Sequence, residues 1–198
     1  PPGHHATRRD AMGFCLFNNI AIATAAILHE GLARRVAIVD FDVHHGNGTA
    51  EAFESNSRVL YISTHEHPLF PGTGALDEVG IASGMGKEIN IPLPAGVGDI
   101  GWRRVYEGLV FPALERFGAD LLLISAGYDV HWSDPLAHLQ VSVAGIHWLI
   151  SRLMDYADRY CGGKAVAVLE GGYRLDALAH GVSATLAAML GEPYPDEL

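Results

Sequence analysis

The segment Val39-Asp40-Phe41-Asp42-Val43-His44-His45-Gly46-Asn47-Gly48 puts two carboxylates and two imidazoles at the end of an apolar run. Asp42 and His44 are two positions apart, so an extended chain directs them to one side. A carboxylate and an imidazole that converge there supply two of the three protein ligands a catalytic zinc takes, with the fourth position left for water. A plain polar turn would use the same residue types. Two carboxylates at so apolar a strand end, however, are costly without a cation or hydrogen-bond donors nearby.

Three further segments could complete that chemistry. Ile124-Ser125-Ala126-Gly127-Tyr128-Asp129 again runs from an apolar stretch through small residues to a carboxylate. Asp129 becomes the third ligand if its strand lies beside the first, although an Asp in a turn after a strand is common. Asp134 precedes Pro135 and reads as ordinary turn chemistry. In Leu169-Glu170-Gly171-Gly172-Tyr173 two glycines allow close backbone approach and are followed by a phenol, which could donate to a developing oxyanion or simply follow a strand-to-helix turn. Pro1-Pro2-Gly3-His4-His5-Ala6 presents adjacent imidazoles in a Gly/Pro turn, suited to general acid–base work near neutral pH.

The elements that must position these residues follow an alternating pattern. β-branched apolar runs at Arg35–Phe41, Arg58–Ser63, Glu88–Ile91, Asp120–Ser125 and Lys164–Leu169 predict buried parallel strands. Helices are expected over Asn18–Glu30, from a capping Asp99 to about Phe117, and over Val143–Tyr160 and Leu175–Leu190. Strands alternating with helices imply an α/β fold, a mainly parallel sheet with helices on both faces in three layers. Glu66–Gly86, with Pro68, Pro71 and five glycines, predicts a long functional loop. Its glycines make no dinucleotide fingerprint, and no phosphate-loop Gly-Lys-Ser/Thr occurs in the chain.

The 198 residues suit a single domain spanning 1–198. A net charge of −10 argues against a nucleic-acid-binding face and is compatible with a cationic substrate. No apolar run is long enough to cross a bilayer, so no membrane role is expected. Two cysteines, Cys15 and Cys161, argue against a disulfide framework and for a reducing, cytoplasmic setting. Eleven histidines, several of them clustered, reinforce the metal reading.

The motifs occur in an order that resembles one family. Pro-Pro-Gly-His-His-Ala, Gly13-Phe14-Cys15, Asn18-Asn19, the Asp40–Thr49 segment, Phe70-Pro71-Gly72-Thr73-Gly74, Ser125–Asp129 and Glu170–Tyr173 follow the pattern of zinc-dependent histone deacetylases. They look most like the class II branch and its bacterial relatives, which include acetylpolyamine amidohydrolases. The resemblance implies an arginase/deacetylase-like fold and removal of acetyl groups from lysine side chains or related amines. It implies zinc on Asp42, His44 and Asp129, and catalytic roles for His4, His5, Tyr173, Asp40 and Asn47. Asp40 would orient His4 and Asn47 would orient His5. The two imidazoles would then be electrostatically unequal. Phe14 and Phe70 would wall the acyl-lysine channel, with Gly13 and Gly172 beside the substrate. A structural potassium ion would take main-chain oxygens of Asp40, Asp42 and His44 together with the Ser63 hydroxyl.

Family catalytic domains carry strands and rim loops before the Pro-Pro-Gly turn, where this chain starts. The expectation is therefore a fragment, or an unusual short form, lacking the family's N-terminal part. Such a fragment could leave one sheet edge exposed. The substrate would be an acetylated lysine peptide, an acetylated polyamine or another small amide, and the oligomeric state is open. Two alternatives remain. One is a non-catalytic module that binds acyl-lysine or acts as a scaffold. The other is an arginase-type binuclear manganese hydrolase, whose Asp-X-His-X-Asp pattern is broken here by Gly46.

Overall fold

A computed structural model describes residues 2–194, so Pro1 of the Pro-Pro-Gly-His-His segment lies outside the described residues. The elements run α1 (Asn19–His29), β1 (Val36–Asp40), α2 (Asn47–Phe53), β2 (Val59–Glu66), a 3-10 turn (Ala82–Gly84) and β3 (Glu88–Leu93). There follow α3 (Asp99–Val105), a π-helical turn (Tyr106–Val110), α4 (Phe111–Phe117), β4 (Leu121–Ala126), α5 (Val143–Tyr160), β5 (Ala165–Leu169) and α6 (Leu175–Met189).

The five strands form one sheet in the order β3-β2-β1-β4-β5, and every pairing is parallel. From β1 the chain winds outward through β2 to β3, then returns to the other side of β1 as β4. The strand order therefore reverses between β1 and β4, the place where open α/β sheets form a crevice beyond their carboxyl ends. Asp40, the last residue of β1, stands opposite Ser63 of β2 and Ser125 of β4.

Alternation along β1 divides the core between two faces. Ala37 and Val39 pack with Trp102, Tyr106, Leu114, Ile146 and Leu149 from α3, α4, α5 and the π-turn. Val36 and Ile38 pack with Ile20 and Leu28 of α1 and with Ala50 and Phe53 of α2. The result is the three-layer arrangement expected from the alternating pattern.

Some local expectations change. The single helix expected over Asp99–Phe117 is continuous but bulges, because Pro112 has no N–H for the carbonyl one turn earlier. Asp99 is the first helical residue and Gly98 the cap. The Asp99 carboxylate instead accepts hydrogen bonds from the Ser142 N–H at 2.8 Å and the Ser142 hydroxyl at 2.7 Å. Ser142 in turn caps α5 by accepting from the Gly145 N–H. α2 was not expected, since the Asn47–Phe53 stretch is too short to show a helical period. β2 extends to Glu66, into the region read as loop.

Candidate active site

β1 ends at Asp40, so strand alternation does not bring Asp42 and His44 together. Two consecutive tight turns do. The Asp42 N–H donates to Asp40 Oδ1 at 3.2 Å, and the His44 N–H donates to Asp42 Oδ1 at 2.8 Å. Beyond the neighbouring β4, Asp129 reaches the same spot, and its Oδ1 accepts from the Val43 N–H at 2.9 Å. Ligand atoms of Asp42, His44 and Asp129 all lie within 4.8 Å of one another, and all three residues are buried. His44 Nδ1 is 3.1 Å from both Asp42 Oδ1 and Asp129 Oδ2.

The electrostatics of this floor call for a cation. Burial and the adjacent Asp42 carboxylate push the Asp129 carboxyl above the ordinary carboxylate range. Burial opposes a charge on His44, but hydrogen bonds to Asp129 and Asp42 carry its imidazole up to about 10. Both shifts come from two buried carboxylates facing one imidazole, an arrangement whose negative charge a divalent cation would offset. Two oxygen donors, one nitrogen donor and an open side facing a cavity fit a divalent metal of the zinc type. The backbone makes room for it: a Cβ on Gly127 would overlap Asp42, and one on Gly171 would overlap Asp129.

His4 and His5 stand side by side with ring centroids 4.1 Å apart. His4 Nδ1 is 2.9 Å from Asp40 Oδ2, and His5 Nδ1 is 2.9 Å from Asn47 Oδ1. Burial disfavours charge on both. Around His4 the Asp40 and Asp42 carboxylates outweigh it and raise the pKa well above the ordinary value. His5 has an amide partner and a charged neighbour, and burial together with His4 lowers it to about 4. The Asp40 carboxylate also accepts from the Tyr61 hydroxyl at 2.9 Å, which fixes its position.

Above the floor opens a cavity of about 510 Å³ lined by His5, Gly13, Phe14, His44, Leu69, Phe70, Leu136 and Tyr173. That volume suits a small-molecule or side-chain ligand. Gly13 and Phe14 both adopt left-handed backbone, with φ of 55° and 63°. A side chain at Gly13 would overlap the His5 ring. For Phe14 the left-handed conformation costs on the order of 1 kcal/mol, and the residue is 73% exposed. Its ring faces Tyr173 at 5.9 Å, and Phe70 faces His5 at 5.0 Å. Gly172 does not line the cavity. Its φ of 134° and its tight approach to Tyr128 make it a backbone turn that delivers Tyr173 to the cavity. Ser63 lies across from Asp40, with its Oγ 2.9 Å from His65 Nδ1.

Sequence reasoning missed four contributors. Glu170 is buried, and its Oε2 accepts from the Gly3 and His4 N–H groups at 2.6 and 3.0 Å, anchoring the histidine turn. Its place beside the Gly-Gly pair was visible, but its partners lie more than 160 positions away. Leu69 and Leu136 wall the cavity. Asp134 is buried, and its two oxygens accept from the backbone N–H groups of Leu136 (2.9 Å) and Tyr173 (2.8 Å). An Asp-Pro pair in a loop gives no hint of the Tyr173 contact.

Known proteins are similar to this chain along nearly all of its length. The histone deacetylase domain model matches residues 1–189. The chain is 46% identical over 193 residues to histone deacetylase 10, chloroplastic, of Oryza sativa subsp. japonica, covering 98% of this chain and 44% of that protein. It is 44% identical to a probable deacetylase of Archaeoglobus fulgidus, covering 96% and 53%, and 42% identical to histone deacetylase 7 of Homo sapiens, covering 100% and 22%. Among solved structures, the HDA15 HD domain superposes with a TM-score of 0.90 at 45% identity, covering 98% of this chain and 55% of that one. The chain therefore spans about half, or less, of the length of these relatives. With sequence and backbone matched along nearly all of its own length, this chain belongs to the histone deacetylase family.

Proposed function

We propose that the chain carries the site of a zinc-dependent amidohydrolase that removes acetyl groups from lysine side chains or related amines. The observation that carries this reading is the buried Asp42–His44–Asp129 cluster at the floor of a cavity that also exposes His5 and Tyr173. Zinc would be held by Asp42, His44 and Asp129. When bound, it lowers the pKa of a water molecule and polarises the acyl carbonyl. A structural potassium ion would sit behind the floor, on main-chain oxygens of Asp40, Asp42 and His44 and the Ser63 hydroxyl. The pairing of Asp40 with Ser63 supports that position.

The residues divide the proton chemistry between them. Asn47 Oδ1 accepts from His5 Nδ1, because the Asn47 amide nitrogen is already directed at the His5 carbonyl and Met12. That leaves His5 Nε2, on the cavity wall, to take a proton from the attacking water and pass it to the leaving amine. Asp40 holds a positive His4 beside it, which favours negative charge developing on the substrate. The Tyr173 hydroxyl donates to the tetrahedral oxyanion. Phe14, Phe70, Leu69 and Leu136 exclude water along an alkyl chain.

A binuclear manganese centre finds no support, because a side chain at Gly46 would overlap Asp40, Tyr61 and His4. The test is hydrolysis of acetyl-lysine peptides and acetylated polyamines by zinc-loaded protein. Tyr173→Phe is expected to lose about a hundredfold or more in kcat while retaining zinc. Turnover by that variant at the wild-type rate would remove the oxyanion role. Binding of acetylated ligands without any hydrolysis would favour a non-catalytic module.

A further inference from the structure

The carboxylate of Asp134 spans two walls of the cavity. Oδ2 accepts from the backbone N–H of Tyr173 and Oδ1 from that of Leu136. The residue itself is fixed to the metal floor by short turns: its N–H donates to the His131 carbonyl at 2.9 Å, and the His131 N–H donates to the Tyr128 carbonyl at 3.2 Å. Tyr128 immediately precedes Asp129. On the other side, Tyr173 follows Gly171-Gly172, where no Cβ limits the backbone and Gly172 has φ 134°. The Tyr173 hydroxyl makes no hydrogen bond among the described residues, so its position depends on where its backbone is held. That backbone N–H is held by Asp134.

We propose that Asp134 is a positioning residue that sets the Tyr173 hydroxyl over the floor of the site and ties it in register with the Leu136 wall. This rests on Tyr173 acting as the oxyanion donor. Both oxygens of Asp134 face N–H donors, so an amide in its place must turn an NH2 group toward one of them. A displacement on the order of 1 Å at a reacting group costs about a hundredfold in rate.

A double-mutant cycle tests the link. Asp134→Asn is expected to lower kcat about ten- to a hundredfold, with zinc content and melting midpoint near wild type. In a Tyr173→Phe background the same substitution should cost less than about threefold, because the hydroxyl it positions is gone. Asp134→Glu, which keeps both acceptors one methylene further out, is run in the same cycle. An equal loss in both backgrounds, or wild-type kcat in Asp134→Asn, overturns the proposal. Loss of zinc from both Asp134 variants also overturns it, by making the residue part of the metal floor's stability. A wild-type chain without hydrolysis, or a fully active Tyr173→Phe, would instead sink the reading of the site itself.

Discussion

Gly127 and Gly171 are glycines because carboxylates occupy the space a side chain would need. A Cβ on Gly127 would run into the side chain and Cα of Asp42, neither of which can move without displacing the ligand. Gly127→Ala is therefore expected to fold but to retain much less zinc than wild type after dialysis, measured by elemental analysis. Full zinc occupancy in that variant would show that the floor yields more than its packing suggests. The pairing of His4 with an acid and His5 with an amide belongs to the same scale. The Asp40 and Asn47 side chains each hold the Nδ1 of one of two imidazoles whose ring centroids are 4.1 Å apart, and the carboxylates beside His4 favour charge there while burial and His4 disfavour it on His5.

At the scale of elements, the loops that end the parallel strands hold the site, and the helices behind them hold the loops. The link between α3 and α5 illustrates this, with the Asp99 carboxylate gripping both the N–H and the hydroxyl of the α5 cap, Ser142. α5 and α6 pack together against the outer face of the sheet, with Ala157 and Ala188 in a shared core. Asp99→Ala removes two hydrogen bonds to a charged acceptor and should cost about 2–3 kcal/mol in a denaturant titration. Ser142→Ala removes the α5 cap and one of those bonds, so the two changes should not add. A cost for Asp99→Ala below about 0.5 kcal/mol would mean that water replaces the contact.

Across the whole molecule, the two sheet edges differ. β3 carries Pro92, which blunts it as a pairing template. Among the described residues β5 pairs with β4 alone, contains neither Pro nor charge within Ala165–Leu169, and leaves Val166 50% exposed. The outer side of α1 is also apolar, with Ile22 58% exposed. An apolar, unpaired edge promotes association. The chain of 198 residues should therefore sediment with a concentration-dependent mass, and Val166→Lys should shift it toward a single species without altering zinc content. Identical sedimentation of the two proteins would discount the edge as the cause.

The sequence by itself determined the layer order and the residue types of the buried cluster. Buried parallel strands must be continuous β-branched runs, and Asp and His at the ends of such runs need a cation or donors to be stable. All five strands were legible within a few residues for that reason, and so were the three residues, Asp42, His44 and Asp129, that the fold brings together. The sequence did not decide how those side chains meet. Asp42 and His44 converge through Asx-type turns beyond β1 rather than through strand alternation, and Asp99 ties two helices rather than capping one. Glu170 grips Gly3 and His4, and Asp134 grips Tyr173, across separations that no local pattern encodes. Local spacing carries only local geometry. Which carboxylate meets which N–H depends on the order in which parallel strands stack, and only the folded sheet sets that order.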